Sequence, residues 1–179
     1  MIISSVVVYK PQIDTRNRTL NNIMSSMKIA IACDHAGLEL KENIKTLLQR
    51  FGIDTRDYGT GDNCSVDYPD YGERVSDAVA SGEIERGILI CGTGLGMSIV
   101  ANKFPGVRAT LCHNPLTARM GRLHNDSNIL VLGAKIIDDE IAAEIVKIWL
   151  ETPFEGQRHS RRLEKISIIE TKLNEGNKE

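Results

Sequence analysis

Residues 87–99 read GILICGTGLGMSI. The first five show no polar alternation, the pattern of a short strand buried on both faces. Gly92, Gly94 and Gly96 follow at once, spaced two apart, and suit a tight turn from strand into helix. Comparable apolar runs recur on either side, at 28–33 (KIAIAC), 107–112 (VRATLC) and 128–132 (NILVL). A fifth run, 53–58 (IDTRDY), is polar and belongs at a sheet edge.

Segments of helical period separate these runs. Leu40, Ile44, Leu47, Leu48 and Phe51 form a core-facing stripe that Gly52 ends. Val75, Ala78 and Val79 mark a helix over 70–81, and a further helix is expected over 114–123. Ile141, Ile145, Ile148 and Trp149 mark another, started by Asp138 and Asp139 and ended near Thr152 and Pro153. Leu163, Ile166, Ile169 and Leu173 share one stripe of a last helix, 160 to about 174. Alternation of this kind predicts a three-layer α/β/α sandwich with a parallel sheet and right-handed crossovers. It starts at Met27, so a single α/β domain is expected over 27–179. Residues 1–26 stand outside the repeat and read as a flexible N-terminal extension, with no basic leader or small-residue cleavage site. Lys10, Arg16 and Arg18 against Asp14 are the one hint of a transit peptide, and a loose tail is the simpler reading.

Composition narrows the function. Lys and Arg number 22 against 24 Asp and Glu, a net charge of −2, so no overall field draws the chain to nucleic acid or an anionic membrane. With 3 Phe, 1 Trp and 4 Tyr there is little to stack bases on. No apolar run approaches the ~20 residues of a membrane span. Cys33, Cys64, Cys91 and Cys112 include no C-x-x-C pair, which argues against a zinc finger or a disulfide lattice and for a reducing, cytosolic compartment.

Ligands of open parallel sheets bind beyond the carboxyl ends of the strands, where strand order reverses. Asp34 and His35 follow the first run, Cys91 and the glycine turn the third, and Lys135 the fifth. If the first and third strands are neighbours, Asp34, His35, Cys91 and the turn share a crevice. Backbone N–H groups of Gly92, Thr93, Gly94, Leu95 and Gly96 would cradle an anion there. The spacing G-x-G-x-G is not the dinucleotide fingerprint G-x-G-x-x-G, and no G-K-[ST] follows for a P-loop. Cys91 at the mouth of the turn suits a thiolate base, although an inert strand-end cysteine is an equal reading. Thr93 stands beside it. His124, followed by Asn125, is compatible with an acid–base group or with a simple helix cap. Arg158 and Arg162, four apart, suit a bidentate phosphate grip or a solvated basic turn. No metal-ligand spacing emerges. Together these pieces describe cofactor-free proton shuttling beside a carbonyl of a small phosphorylated substrate, through an enediolate.

The same residues carry a resemblance. I-A-x-x-C-D-H-A-G at 29–37, D-Y-P at 67–69, the quoted 87–99, A-N-K-F-P-G-V-R-A at 101–109, H-N-D-S-N at 124–128 and G-x-R-H-x-x-R at 156–162 are similar to the type B members of the ribose/galactose isomerase family. The resemblance runs from Met27 to about Ile169. It implies a Rossmann-like five-stranded parallel sheet with strand 1 beside strand 3. It also implies metal-independent interconversion of D-ribose 5-phosphate and D-ribulose 5-phosphate. Cys91 would then be the base moving a proton between C1 and C2, with the anion hole at Gly92 to Gly96 and Thr93 beside the base. His124 would be the acid opening the furanose ring, with Asp34 and Asn125 lining the sugar. His35, Arg158 and Arg162 would bind phosphate. A homodimer, or a tetramer, with shared active sites is implied, His124 and Asn125 coming from the partner subunit.

Lys135 departs from the family pattern. It stands where a phosphate-side arginine is common, keeping the charge and losing the fork. The alternatives are an allose 6-phosphate or galactose 6-phosphate isomerase of the same family, the galactose type lacking the histidine at 124. From another class, a phosphoacceptor or nucleotide-sensing domain would need an acidic cluster after the first strand, where Asp34 is followed by His35.

Overall fold

The computed structural model describes residues 27–176; the extension expected at 1–26 lies outside the described residues. Five strands, β1 (Lys28–Cys33), β2 (Asp54–Asp57), β3 (Arg86–Cys91), β4 (Ala109–Leu111) and β5 (Ile129–Gly133), form one parallel sheet ordered β2-β1-β3-β5-β4. Six α-helices connect and flank it: α1 (Leu38–Arg50), α2 (Tyr68–Ala80), α3 (Leu95–Ala101), α4 (Pro115–Asn125), α5 (Asp139–Glu151) and α6 (Arg158–Gly176). A single 3-10 turn, His35–Gly37, leads into α1.

The strand pleat sorts the core into two layers. Ile29, Ile31, Cys33, Ile88, Ile90, Leu130 and Leu132 face α1, α4 and α5, packing on Ile44, Leu48, Ala118, Ile145 and Trp149. Ala30, Ala32, Leu89, Cys91 and Val131 face the other way, onto Val75, Ala78, Met97 and Ala101 of α2 and α3. This is the three-layer sandwich expected, with strand 1 beside strand 3. Asn114 and Asp138 cap α4 and α5 through side-chain bonds to the amides of Thr117 and Ile141, at 2.9 and 2.8 Å.

Three local readings change. The fourth run is an edge strand of three residues, half-buried at Thr110 and Leu111, because β5 pairs its only inner side. The helix expected over 114–123 runs on through Asn125, so His124 lies in its last turn, and Asp126 turns the chain in the left-handed region at φ 45°. The stripe on α6 does not reach the core. Leu163 is half-buried, whereas Ile166, Ile169 and Leu173 are 42, 57 and 64% exposed.

Candidate active site

Between β1 and β3 the chain reverses its direction across the sheet. The segment after β1 turns to the α1 face and the segment after β3 to the α3 face, which makes their carboxyl ends the switch point where ligands of such sheets bind. Cys91 ends β3 and pairs with Gly133 of β5. Its thiol is 5% exposed, and the Gly94 N–H donates to its Sγ at 3.1 Å. Gly94 reaches that position at φ 79°, and a Cβ there would sit 2.4 Å from Leu111 Cδ1. The turn therefore demands glycine on both conformational and steric grounds. The Thr93 Oγ1 accepts from the Leu95 N–H at 3.4 Å, and the Gly96 and Met97 amides open α3, where helix geometry provides no acceptor.

The walls come from three other segments. Asp34, 7% exposed, caps the 3-10 turn by accepting from the Ala36 N–H at 3.0 Å, while its own N–H donates to the Ile90 carbonyl at 3.3 Å. His35 Nδ1 accepts from the Val66 N–H at 3.2 Å. In the neutral ring the proton is thereby placed on Nε2. The Ala134 and Lys135 amides donate to the Cys91 and Gly92 carbonyls, both at 2.9 Å, which lays Lys135 along the turn. A methyl on Gly92 would meet Lys135 Cδ at 3.6 Å and Ala36 Cβ at 3.8 Å. Asp34, Cys91, the glycine turn and Lys135 thus lie together as the sequence predicts, with Ala36 beside them.

One wall was missed. Tyr68 closes on Gly96 so tightly that a Cβ there would lie 2.6 Å from its ring, yet Tyr68 remains 38% exposed. Its place directly before Pro69, at a helix start, was the available signal.

The other three cysteines are held as thiols. Burial pushes Cys33 up to about 11 against the counterpull of Lys41. Burial raises Cys112, and the neighbouring Asp62 carboxylate raises Cys64.

The remaining predicted residues gather elsewhere. Gly87 pairs with Ile129 at the opposite end of the strands from the Cys91–Gly133 pair. Four residues of strand separate the two levels, about 13 Å. Asn125 ends α4 four residues before Ile129, so His124 and Asn125 lie at the far end. Arg122, 5% exposed, anchors that end through Asp126 Oδ1 at 2.9 Å and the Ser127 carbonyl at 2.6 Å. Arg108 Nε donates to the Asn125 and Asp126 carbonyls at 2.9 and 3.0 Å. The Glu155 N–H donates to the Leu123 carbonyl at 3.0 Å, tying the start of α6, with Arg158 and Arg162, to the same place. One chain therefore holds the candidate residues in two groups: the thiol, the glycine turn, Asp34, His35 and Lys135 at one end, and His124, Asn125, Arg158 and Arg162 at the other. Among the described residues, the one cluster at metal-ligand spacing is His124, Glu155 and His159, away from the thiol.

The protein is a parallel α/β sandwich with a thiol and a glycine turn at the point where strand order reverses, the place where small ligands of such sheets bind. Residues 29–166 match the model of the ribose/galactose isomerase family. Ribose-5-phosphate isomerase B of Escherichia coli is 47% identical, over 82% of this chain and 99% of that protein. A D-erythrulose-4-phosphate isomerase of Pectobacterium atrosepticum is 42% identical, over 80% and 95% respectively. The solved ribose-5-phosphate isomerase B of Clostridium thermocellum superposes with a TM-score of 0.81 at 52% identity, covering 82% of this chain and 99% of that one. The chain belongs to the ribose/galactose isomerase family.

Proposed function

We propose that the protein interconverts D-ribose 5-phosphate and D-ribulose 5-phosphate in the pentose phosphate pathway, at sites completed by a second copy of the chain. The observation that carries this reading is Cys91, set in the β1–β3 crevice with the Gly94 amide on its sulfur. His124 of the partner subunit gives a proton to the ring oxygen as the C1–O bond breaks and the C1 hydroxyl gives its own proton to water. The Cys91 thiolate then takes the C2 proton and returns it to C1, while the C2 hydroxyl gives up its proton and the C1 oxygen gains one, leaving an alcohol at C1 and the ketone at C2. Amides of the glycine turn carry the enediolate oxygen between these transfers. Thr93 sits beside the base, Asp34 and the partner subunit's Asn125 line the sugar, and His35 and Lys135 hold the phosphate together with the partner subunit's Arg158 and Arg162.

The separation of the half-sites supports the second copy, since no side chain spans about 13 Å plus the offset between elements. The apolar face of α6 supports it too. Ile166, Ile168, Ile169 and Leu173 are all exposed, and burying each against a partner is worth about 1.5–3 kcal/mol. A groove of about 390 Å³ runs between this helix and β4, lined by Ala109, Thr110, Asn125, Leu163 and Ile166. Four free cysteines and the lack, among the described residues, of a helix able to cross a membrane accord with a cytosolic setting.

The test is an isomerase assay on aldose phosphates of four, five and six carbons, followed by mixing of two inactive variants. Ribose 5-phosphate is expected to give the highest kcat/KM; a higher value for allose 6-phosphate would replace the substrate. Cys91→Ala and His124→Ala, each inactive alone, should recover about a quarter of wild-type activity after subunit exchange, because random pairing leaves one intact site in half of the dimers. No recovery despite exchange would overturn the shared site.

A further inference from the structure

The family reading leaves the surroundings of His124 unexplained. The rings of His124 and His159 stack at 4.2 Å between centroids and 7° between planes. Glu155 Oε2 stands 3.7 Å from His124 Nε2 and 3.6 Å from His159 Nε2. We infer that Glu155 is a positioning residue for His124, its carboxylate holding the protonated imidazole, while a neutral His159 fixes the plane of the ring. The inference rests on the reading of His124 as the ring-opening acid.

Local backbone is committed to this arrangement. The Glu155 N–H is bonded to the Leu123 carbonyl at 3.0 Å, one residue before His124. Gly156 and Gln157 then take φ of 71° and 51°, two successive left-handed residues that turn the chain into α6. For Gln157, with a Cβ, that conformation costs on the order of 1 kcal/mol. The turn delivers His159 beneath His124, four residues after Glu155 and 2% exposed.

Only one of two imidazoles in face contact carries charge without repulsion. His159 is the neutral one: its Nε2 accepts from Arg158 Nε at 3.1 Å, so its proton resides on Nδ1. Burial first, and then the positive neighbours His124, Arg158 and Arg162, hold His159 below the usual imidazole range. His124 is half-exposed in the last turn of α4. With His159 Nε2 engaged by Arg158, the Glu155 carboxylate is left to His124, at ion-pair distance. Of the charged groups near the imidazole, Glu155 comes from the loop, Arg158 and Arg162 from α6, Arg108 from just before β4, paired with Asp126, and on α4 itself Arg122 is paired with Asp126.

The experiment compares Glu155→Gln, Glu155→Asp and His124→Ala on ribose 5-phosphate and erythrose 4-phosphate. The second has its C4 oxygen esterified and cannot close a five-membered ring, so it bypasses ring opening. Glu155→Gln should lower kcat on ribose 5-phosphate about tenfold near neutral pH and move the alkaline limb of that profile to lower pH. Its rate on erythrose 4-phosphate should change less than about threefold, and Glu155→Asp should restore most of the loss. An NMR titration of the His124 ring reads the same shift without turnover. Equal losses on both substrates, or an unmoved His124 midpoint, would overturn the positioning role. Equal losses in His124→Ala would instead remove the acid assignment beneath it.

Discussion

The two ends of the sheet are built differently. At the thiol end, close-packed glycines and strand termini set every position. Gly94 is wedged against Leu111, Gly96 against Tyr68, and the Cys91 and Gly92 carbonyls are tied to the chain leaving β5. At the histidine end, the functional groups hang on a helix terminus and a loop, held by arginines, a stacked imidazole pair and two left-handed residues. On the proposed reaction, the contrast follows the demands of each chemistry. Stabilising an enediolate needs amides fixed to within a fraction of an ångström, which backbone packing supplies. A proton donor must instead keep the right charge, which neighbouring side chains tune.

Removing the thiol should break the first end outright. Cys91→Ala is expected to lower kcat by at least about a thousandfold while substrate binding, read by calorimetry, stays largely intact. Full activity in that variant would remove the base. Gly94→Ala attacks the same end through geometry. A side chain at φ 79° against Leu111 should cost about 1–3 kcal/mol in denaturant unfolding and at least about tenfold in kcat, read on the folded fraction. Wild-type kinetics would show that the turn tolerates a shift.

Asp57 sharpens the comparison from outside both half-sites. Lys41, 2% exposed, bonds Asp57 Oδ1 at 3.1 Å and the Thr60 carbonyl at 2.8 Å, pinning the loop that leads toward His35. Burial pushes the Asp57 carboxyl up, but hydrogen bonds from Lys45, the Gly59 N–H and Lys41 outweigh it and hold it below the usual 3.8. Its contribution is therefore full above that value and lost as pH falls through the lowered one. Asp57→Asn should destabilise the protein by about 2 kcal/mol at pH 7, and the gap from wild type should narrow below about pH 4. A gap independent of pH would discard the ion-pair account. The smallest effect expected is that of EDTA, which should leave the rate unchanged within assay error; loss of activity restored by a divalent ion would mean that neither end works as described.

The fold was legible because buried parallel strands announce themselves as unbroken apolar runs and their helices as 3.6-residue stripes. Cys91, the glycine turn and Asp34 were legible because strand ends meet at a switch point. Three things were not. The α6 stripe has the period of a core-facing helix, and periodicity does not say whether the covering surface belongs to the same chain. Residues Arg158 and Arg162 matched a phosphate grip, but placing them at the far pole required the strand register. Glu155 and His159 are spaced four apart in EGQRH, a visible signal, yet their meaning appears only when the Leu123 carbonyl brings them under His124.

If the sites are shared as proposed, dividing the machinery between opposite poles would leave a solitary chain with no residual turnover to fall back on. Dilution alone would then silence the protein, and the threshold would be set by how well the apolar side of α6 is matched. In a cell carrying two different defective alleles, such faults would not simply add: a lesion at one pole and a lesion at the other would compensate in trans.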